Sequence, residues 1–495
     1  MERLSRFLSF ASLSSPPILA PDHTSQTPPG MQLPRTNASA LLALPAEIIH
    51  QILTLLDPIS LADLSQTCHL LHSHAEDGKL WYDIVQEHVP AQRLLSPGLC
   101  KTWRDLYAAH HPYWFLTRHK LWFSDKSYTG TAMTGSLIVA RFDPRRCCIE
   151  AYRLVAEQGD HTFEQWALDP SVIIHAFNPR LRLWLDDPVI KLDLRSAPLG
   201  KRLQKEILMP TGNAQGIRSL LFRSLRVAPA NQNRSMLLWP PEIIPTPERV
   251  RNHSPSLFRS DSQKPKTLAD ASDTTFRIRK WMEFGSFAVS IGLRMGEDVM
   301  TFSTLPEDSY TPTKEKPWRG IWVGDYAGHG CEFLVVLQPD EHAELSNSRS
   351  SSQESSFSHA STNMESASGG AISVNENETD EQAEEAPYSG RLEAIKLTGD
   401  PNVPRGEYTF IADDIGRKGF IRIAEEQPFL GARVVKSRGH VAARGFINHS
   451  YIPSELIMIS HDRLAQYWVE FGHISFYSRV NIDDYLGFNK EQPQA

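Results

Sequence analysis

The sequence predicts an α+β chain: a small N-terminal helical module followed by a mainly antiparallel β-barrel with long disordered loop insertions. Three observations lead there. Residues 41–81, LLALPAEIIHQILTLLDPISLADLSQTCHLLHSHAEDGKLW, carry more aliphatic side chains at helical spacing than so small a unit can bury by itself. Beyond about residue 111, short β-branched and aromatic runs recur between Gly, Pro, Asn and Asp. At 495 residues the chain has room for two or more domains and a large core.

The module reads as helices in series. Pro45 stands where a first helical residue tolerates a missing N–H. A helix is predicted over 46–56, with Ile48, Ile52 and Leu55 on one stripe and Ile49, Leu53 and Leu56 on the next. Asp57-Pro58 ends it, because the residue before proline is pushed out of the α region. Ser60 is predicted to cap a second helix, with Asp63 three positions on. Leu61, Leu64 and Cys68 form its apolar line, and a third helix carries Leu70, Leu71 and Ala75 before Gly78. Leu80-Trp81 closes the unit. Two readings follow: an ordinary subdomain packed on its own chain, or a module whose broad stripe is meant for a partner.

Leu44-Pro45, Glu47-Ile48, Ile52, Leu56, Asp57-Pro58, Leu61, Leu64, Cys68, His69-Leu70-Leu71 and Leu80-Trp81 resemble the F-box in order and spacing. That resemblance implies docking on the Skp adaptor of a cullin-RING ubiquitin ligase. It implies adaptor contacts at Leu44, Pro45, Ile48, Ile49, Ile52, Leu53 and Leu56. Physically this is helix packing between chains, with aliphatic anchors in a desolvated centre.

Composition narrows the remainder. Hydrophobic content of 41% and charge of 22% are those of a soluble globular protein. No apolar run reaches the length of a transmembrane helix. Cys68, Cys100, Cys147, Cys148 and Cys331 make no CxxC pair, which argues for a reducing compartment, cytoplasm or nucleus, and against a structural zinc site. The net charge of −7 is local: residues 341–390 hold ten acidic residues and one arginine, while the rest of the chain has 50 basic and 48 acidic residues. No basic body is left to grip nucleic acid. Residues 1–38, with Arg3, Arg6 and Pro16-Pro17, read as a disordered tail rather than a targeting peptide. Residues 486–495 read as a second tail, and no cofactor, metal, nucleic acid or membrane is expected.

The F-box and linker helices are assigned to 39–112 and the barrel to 113–485. Strands are predicted at 135–142, 148–156, 171–177, 181–185, 276–284, 320–326 and 331–338, and at RLEAIKLTG, EYTFIAD, FIRIA, ELIMIS, QYWVEF and ISFYSRV. Residues 240–274, with prolines 240, 241, 245, 247, 255 and 265, form an irregular loop. The acidic, serine-rich insert 341–390 would be a long hairpin loop, read as a tolerated expansion ahead of a phosphorylation platform at Ser351.

Three clusters invite chemistry. In GDYAGHGCEF the glycines fit a tight hairpin turn, ahead of a His329–Cys331 nucleophile pair. In TGDPNVPRG two prolines and two glycines make a defined loop, where Asp400 and Asn402 either cap their own turn or accept hydrogen bonds from a ligand. His461 and Asp462 are adjacent, poor geometry for a relay, and the alternation after them is mostly core. The order GDYAGHGCEF, LTGDPNVPRG, ARGF, DRLAQYWVEF, ISFYSRV resembles the F-box only protein 31 family and its fungal relatives over about 319–480. Low-complexity sequence precedes TGDPN here, where the animal proteins would carry it after. The resemblance implies a barrel that captures substrate tails in an open end. By position Tyr326, His329, Asp400, Asn402 and Trp468 are the rim candidates.

The sequence therefore points to a non-catalytic substrate receptor of an SCF-type ubiquitin ligase. The alternatives are an adaptor-bound F-box protein with a structural role and a small-ligand-binding barrel.

Overall fold

The computed structural model describes residues 39–127, 133–196, 206–210, 217–227, 238–252, 264–282, 298–326, 329–339 and 387–487. The predicted N-terminal tail and nearly all of the acidic insert lie outside them. The chain divides into two compact units. One holds the described residues through Arg118 with Phe142–Cys148 and those of 192–202; the other holds His119–Arg141, Ile149–Lys191 and those beyond.

The first unit is built on α1 (Ala46–Leu53), α2 (Pro58–Leu64), α3 (His69–Ala75), α4 (Gly78–Glu87) and α5 (Trp103–His110). Helix α1 ends three residues before the predicted stop, closing in turns as Leu55 and Leu56 donate to the Ile52 and Leu53 carbonyls (3.1 and 3.2 Å). Asp57, not Ser60, caps α2: its carboxylate accepts from the Ile59 and Ser60 N–H groups at 3.0 and 3.1 Å. Pro58 falls in the first turn, where its missing N–H costs nothing. Gly78 likewise opens α4 under an Asp77 cap instead of closing the module. The helices share a core of Ile49, Leu53, Leu61, Leu71, Ala75, Leu80 and Trp81, with Trp103 and Tyr107 of α5 packed against it. The Trp81 indole is buried but satisfied, donating to the Ala75 carbonyl at 2.7 Å.

The second unit is all β in its main elements. Strands β1 (Leu121–Ser124), β2 (Leu137–Asp143), β3 (Cys148–Glu157), β4 (His161–Gln165), β5 (Ile173–Phe177), β6 (Arg180–Trp184), β7 (Ile190–Leu192), β8 (Ile207–Met209) and β9 (Ile217–Leu225) come first. The short pair β10 (Leu238–Trp239) and β11 (Val250–Arg251) follows, then β12 (Ala271–Met282) and β13 (Asp298–Ser303). Nine of these form one sheet in the order β6-β3-β2-β1-β13-β12-β9-β8, with β7 beside β3.

The rest are β14 (Gly320–Asp325), β15 (Cys331–Leu337), β16 (Leu392–Lys396), β17 (Tyr408–Ala412), β18 (Phe420–Ile423), β19 (Arg433–Ala443), β20 (Ile447–Ser460), β21 (Arg463–Trp468) and β22 (His473–Val480). All but β18 pair antiparallel in sequence order, and β22 returns to β14 to close an eight-stranded barrel. The closed barrel thus occupies 320–480 of the 113–485 region expected to form it, and most earlier strands build the separate sheet.

Alternation sorts the barrel's side chains. One parity points inward: Trp322, Leu334, Val336, Leu392, Ala394, Phe410, Ala412, Val435, Leu456, Met458, Leu464 and Tyr477 share a single core. The other parity of β14–β16 packs the outer wall against the nine-stranded sheet, with Ile321, Val323, Val335 and Ile395 meeting Leu121, Phe123, Leu137 and Val139. Across the barrel, Val434, Ile457 and Ala465 meet Trp166 and Ile174.

Inside, the Trp468 ring lies so close to β19 that a β-carbon on Gly439 would come within 2.2 Å of it. A Gly439→Ala variant is therefore expected to lose about 1–3 kcal/mol of stability through overpacking, measured by denaturant unfolding; an unchanged midpoint would show that the ring moves aside freely.

Candidate functional site

The two apolar stripes of α1 have different fates. Ile49 and Leu53 are each 2% exposed and belong to the module's own core. Ile48, Ile52 and Leu55 are 40%, 37% and 84% exposed on the adjoining stripe. Leu44 before the helix and Ile59 after it are also exposed, Pro45 is exposed, and Leu56 is half-buried. Of the predicted adaptor contacts, Ile49 and Leu53 are thus spent on folding, since two adjoining stripes cannot both face outward on a helix that must bury one. Leu55 and Ile59 join the open surface instead. Exposed aliphatics arranged as a stripe, rather than scattered singly, mark an interaction surface.

The second candidate lies inside the barrel. Following the inward parity beyond the apolar core leads to Glu332 on β15, Lys396 on β16, Ser454 on β20, Gln466 and Trp468 on β21, and Ser475 on β22, all buried. Lys396 is the hub. Its Nζ lies 2.8 Å from the Glu332 carboxylate and 2.5 Å from that of Asp400, and sits 4.3 Å from the centre of the Tyr326 ring. Asp400 is fixed by its own loop, accepting from the Asn402 and Val403 N–H groups at 2.5 and 2.7 Å.

A neutral chain completes the lining. The Tyr326 hydroxyl pairs with Thr409 (2.7 Å), Tyr477 donates to Gln466 (3.2 Å), and the Gln466 amide donates to Ser454 (3.0 Å). The Trp468 indole donates to Ser475 at 3.0 Å.

The two carboxylates that share Lys396 are pushed apart. Burial would raise Asp400, but Lys396 and the two backbone donors outweigh it and hold this carboxyl below its ordinary value. Burial dominates at Glu332, opposed by Lys396 and reinforced by the Asp400 charge, and pushes its carboxyl up to about 8. Burial likewise raises the Tyr326 phenol well above its usual range.

The structure brings Tyr326 and Asp400 together through Lys396. Asn402 joins through its backbone, and Trp468 lines the same interior. His329 is exposed in the turn after β14, its N–H donating to the Tyr326 carbonyl (3.1 Å). Cys331 is on the outward parity, and burial, with Asp325 adding to it, pushes its thiol up to about 12. A thiol so hard to ionise beside an exposed imidazole makes no nucleophile pair. Lys396, Glu332, Thr409 and Gln466 were missed in the sequence. A signal was present: Leu392-Ala394-Lys396 and Glu332-Leu334-Val336 each put one charge on an otherwise apolar face.

Comparison with protein families assigns the two regions. Residues 41–87, which hold α1–α4, match the F-box-like family, so the chain carries an F-box-like domain with its exposed stripe. Residues 302–484, which hold the whole barrel, match the family described as Cyclin D1 binding domain. No curated protein matches the chain.

The raised Glu332 carboxyl makes a pH-dependent prediction. Folding takes up a proton between the unfolded value of 4.5 and about 8, so this group's contribution is full below 4.5 and is lost as pH rises to about 8. Glu332→Gln removes that slope. Its melting temperature relative to wild type should become more favourable from pH 5 to pH 8 in thermal scans; a constant difference would show that Glu332 titrates as an ordinary carboxyl.

Proposed function

We propose that this chain is the substrate-recognition subunit of an SCF-type ubiquitin ligase. The α1 stripe would dock on the Skp adaptor, and through it a cullin, while the barrel holds protein substrates for ubiquitination and degradation. The division of α1 into a buried and an open stripe carries this reading. Leu44, Pro45, Ile48 and Ile52, with Leu55 and Ile59, would be the adaptor face. The receptor makes and breaks no bond itself; it would raise the local concentration of a substrate lysine beside a charged conjugating enzyme.

The order GDYAGHGCEF, TGDPN and ISFYSRV favours the F-box only protein 31 family and its fungal branch. The polar barrel end would then take substrate tails, C-terminal ones first. Tyr326, His329, Asp400, Asn402 and Trp468 would act with Lys396 at the hub. The description of the barrel's family makes cyclins the first substrates to try. Five cysteines without paired spacing favour action in the cytoplasm or nucleus.

Two measurements test this. Ile48→Glu with Ile52→Glu should abolish recovery of Skp adaptor and cullin in a pull-down while leaving the melting temperature near wild type, because both side chains point outward. Adaptor recovered undiminished would overturn the docking face. Asp400→Asn, which keeps the loop's acceptor but removes the charge on Lys396, should weaken a fluorescent cyclin C-terminal peptide by roughly tenfold. Unchanged peptide affinity would remove the barrel end from the reading and leave the adaptor face standing.

A further inference from the structure

Away from both surfaces, the helical unit brings two of the five cysteines together. Cys100 ends the turn that starts at Pro97, and Cys147 ends the turn that starts at Pro144 between β2 and β3. Both belong to the same compact unit. Both thiols are free, and their side chains are hydrogen-bonded to each other.

The first turn is wrapped around the Cys147 sulfur. The Leu99 N–H donates to Sγ at 3.1 Å, and the Pro97 and Pro144 carbonyl oxygens each lie 3.7 Å from it. Gly98 is what lets the backbone close so tightly: its φ is +63°, and a β-carbon there would sit 2.6 Å from the sulfur. Cys147 itself holds φ +46°, a left-handed conformation that a side chain other than Asn or Asp seldom adopts. Strained backbone on one side and a glycine on the other are both arranged about one sulfur atom. Cys147 is buried, while Cys100 is partly exposed and is the pair's route to solvent.

The contact also sets the charge of the pair. The hydrogen bond from Cys100, against the cost of burial and with help from the backbone donors, pulls Cys147 down to about 6. The same contact pushes Cys100 far up. At neutral pH the pair therefore holds one negative charge, on Cys147, and one proton, on Cys100, and titrates as a unit.

We propose that Cys100 and Cys147 form a reversible disulfide when the protein meets a hydroperoxide. The Cys147 thiolate, reached past the partly exposed Cys100, attacks the terminal peroxide oxygen. The O–O bond breaks, and the leaving alkoxide takes the Cys100 proton, giving Cys147 sulfenic acid, an alcohol and a Cys100 thiolate. The Cys100 thiolate then attacks the Cys147 sulfur; the S–O bond breaks, and hydroxide leaves and takes a proton from solvent as water. Two electrons pass from the thiols to one peroxide, and the sulfurs close from hydrogen-bonding distance to about 2.05 Å. The bond ties the 97–100 turn to the 144–147 turn inside the helical unit.

The test uses the full chain, reduced and then exposed to hydrogen peroxide. The thiol count of five should fall to three. Peptide mass spectrometry should recover Cys100 joined to Cys147, and dithiothreitol should restore five. Cys100→Ala, which lacks the second sulfur, should give no internal cross-link under the same exposure. Oxidation of wild type should slow as pH falls through about 6, where the shared charge is lost. Five thiols surviving in wild type, a cross-link to Cys68, Cys148 or Cys331 instead, or a rate that does not change across that pH range would each overturn the proposal.

Discussion

Closure of the barrel between β14 and β22 is the constraint on which the second unit depends. The register Ile321↔Val480 to Gly324↔Tyr477 fixes which side chains of both strands turn inward. A slip of one residue would put Ser478 and Val480 in the interior and drive Tyr477 out. With the register set, Trp322 and Tyr477 fill the centre, and Ile321 and Val323 face the nine-stranded sheet. The same alternation carries Glu332 and Lys396 into the barrel. Neither charge could sit there alone, since desolvating one ion costs several kcal/mol. Lys396 between two carboxylates, under a tyrosine ring, is how the fold tolerates them.

Much of the architecture was legible because it is periodic. The alternation in GIWVGDY, CEFLVVL and ISFYSRV marks strands β14, β15 and β22 nearly to the residue. Helical spacing of isoleucine and leucine marks α1. What local pattern cannot carry is the choice between equal alternatives. Ile48 and Ile49 are the same side chain on adjoining stripes, and only the placing of Leu61, Leu71 and Trp81 decides which one is buried. Asp57 and Ser60 both favour caps; the carboxylate reaches two N–H groups at once. Long-range pairing was equally hidden. The strand at Leu121–Ser124 finds its neighbour at Ser303, and that pairing draws the early strands into an open sheet rather than the barrel.

The candidate site was half legible for a related reason. The prolines and glycines of TGDPNVPRG announce a fixed loop, and Asp400 sits in it as an Asx-type cap. Its partner Lys396 looks in the sequence like an exposed strand residue, since lysine on a β-strand normally faces water. It is inward because the alternation Leu392-Ala394-Lys396 runs unbroken on β16, opposite Leu334, and the loop after the strand brings Asp400 back to its amine.

Strand β22 has three neighbours: β21 over His473–Ser478, β14 over its second half and β5, in parallel, over His473–Ser475. Ile173 therefore waits for a partner three hundred residues downstream. On a translating ribosome, neither the barrel seam nor this added edge can form until the last strand has emerged. The helices α1–α4 depend mainly on contacts among themselves and with α5, so they can assemble while the barrel is still unmade. The nascent chain would then present its aliphatic stripe well before it has a finished barrel to offer.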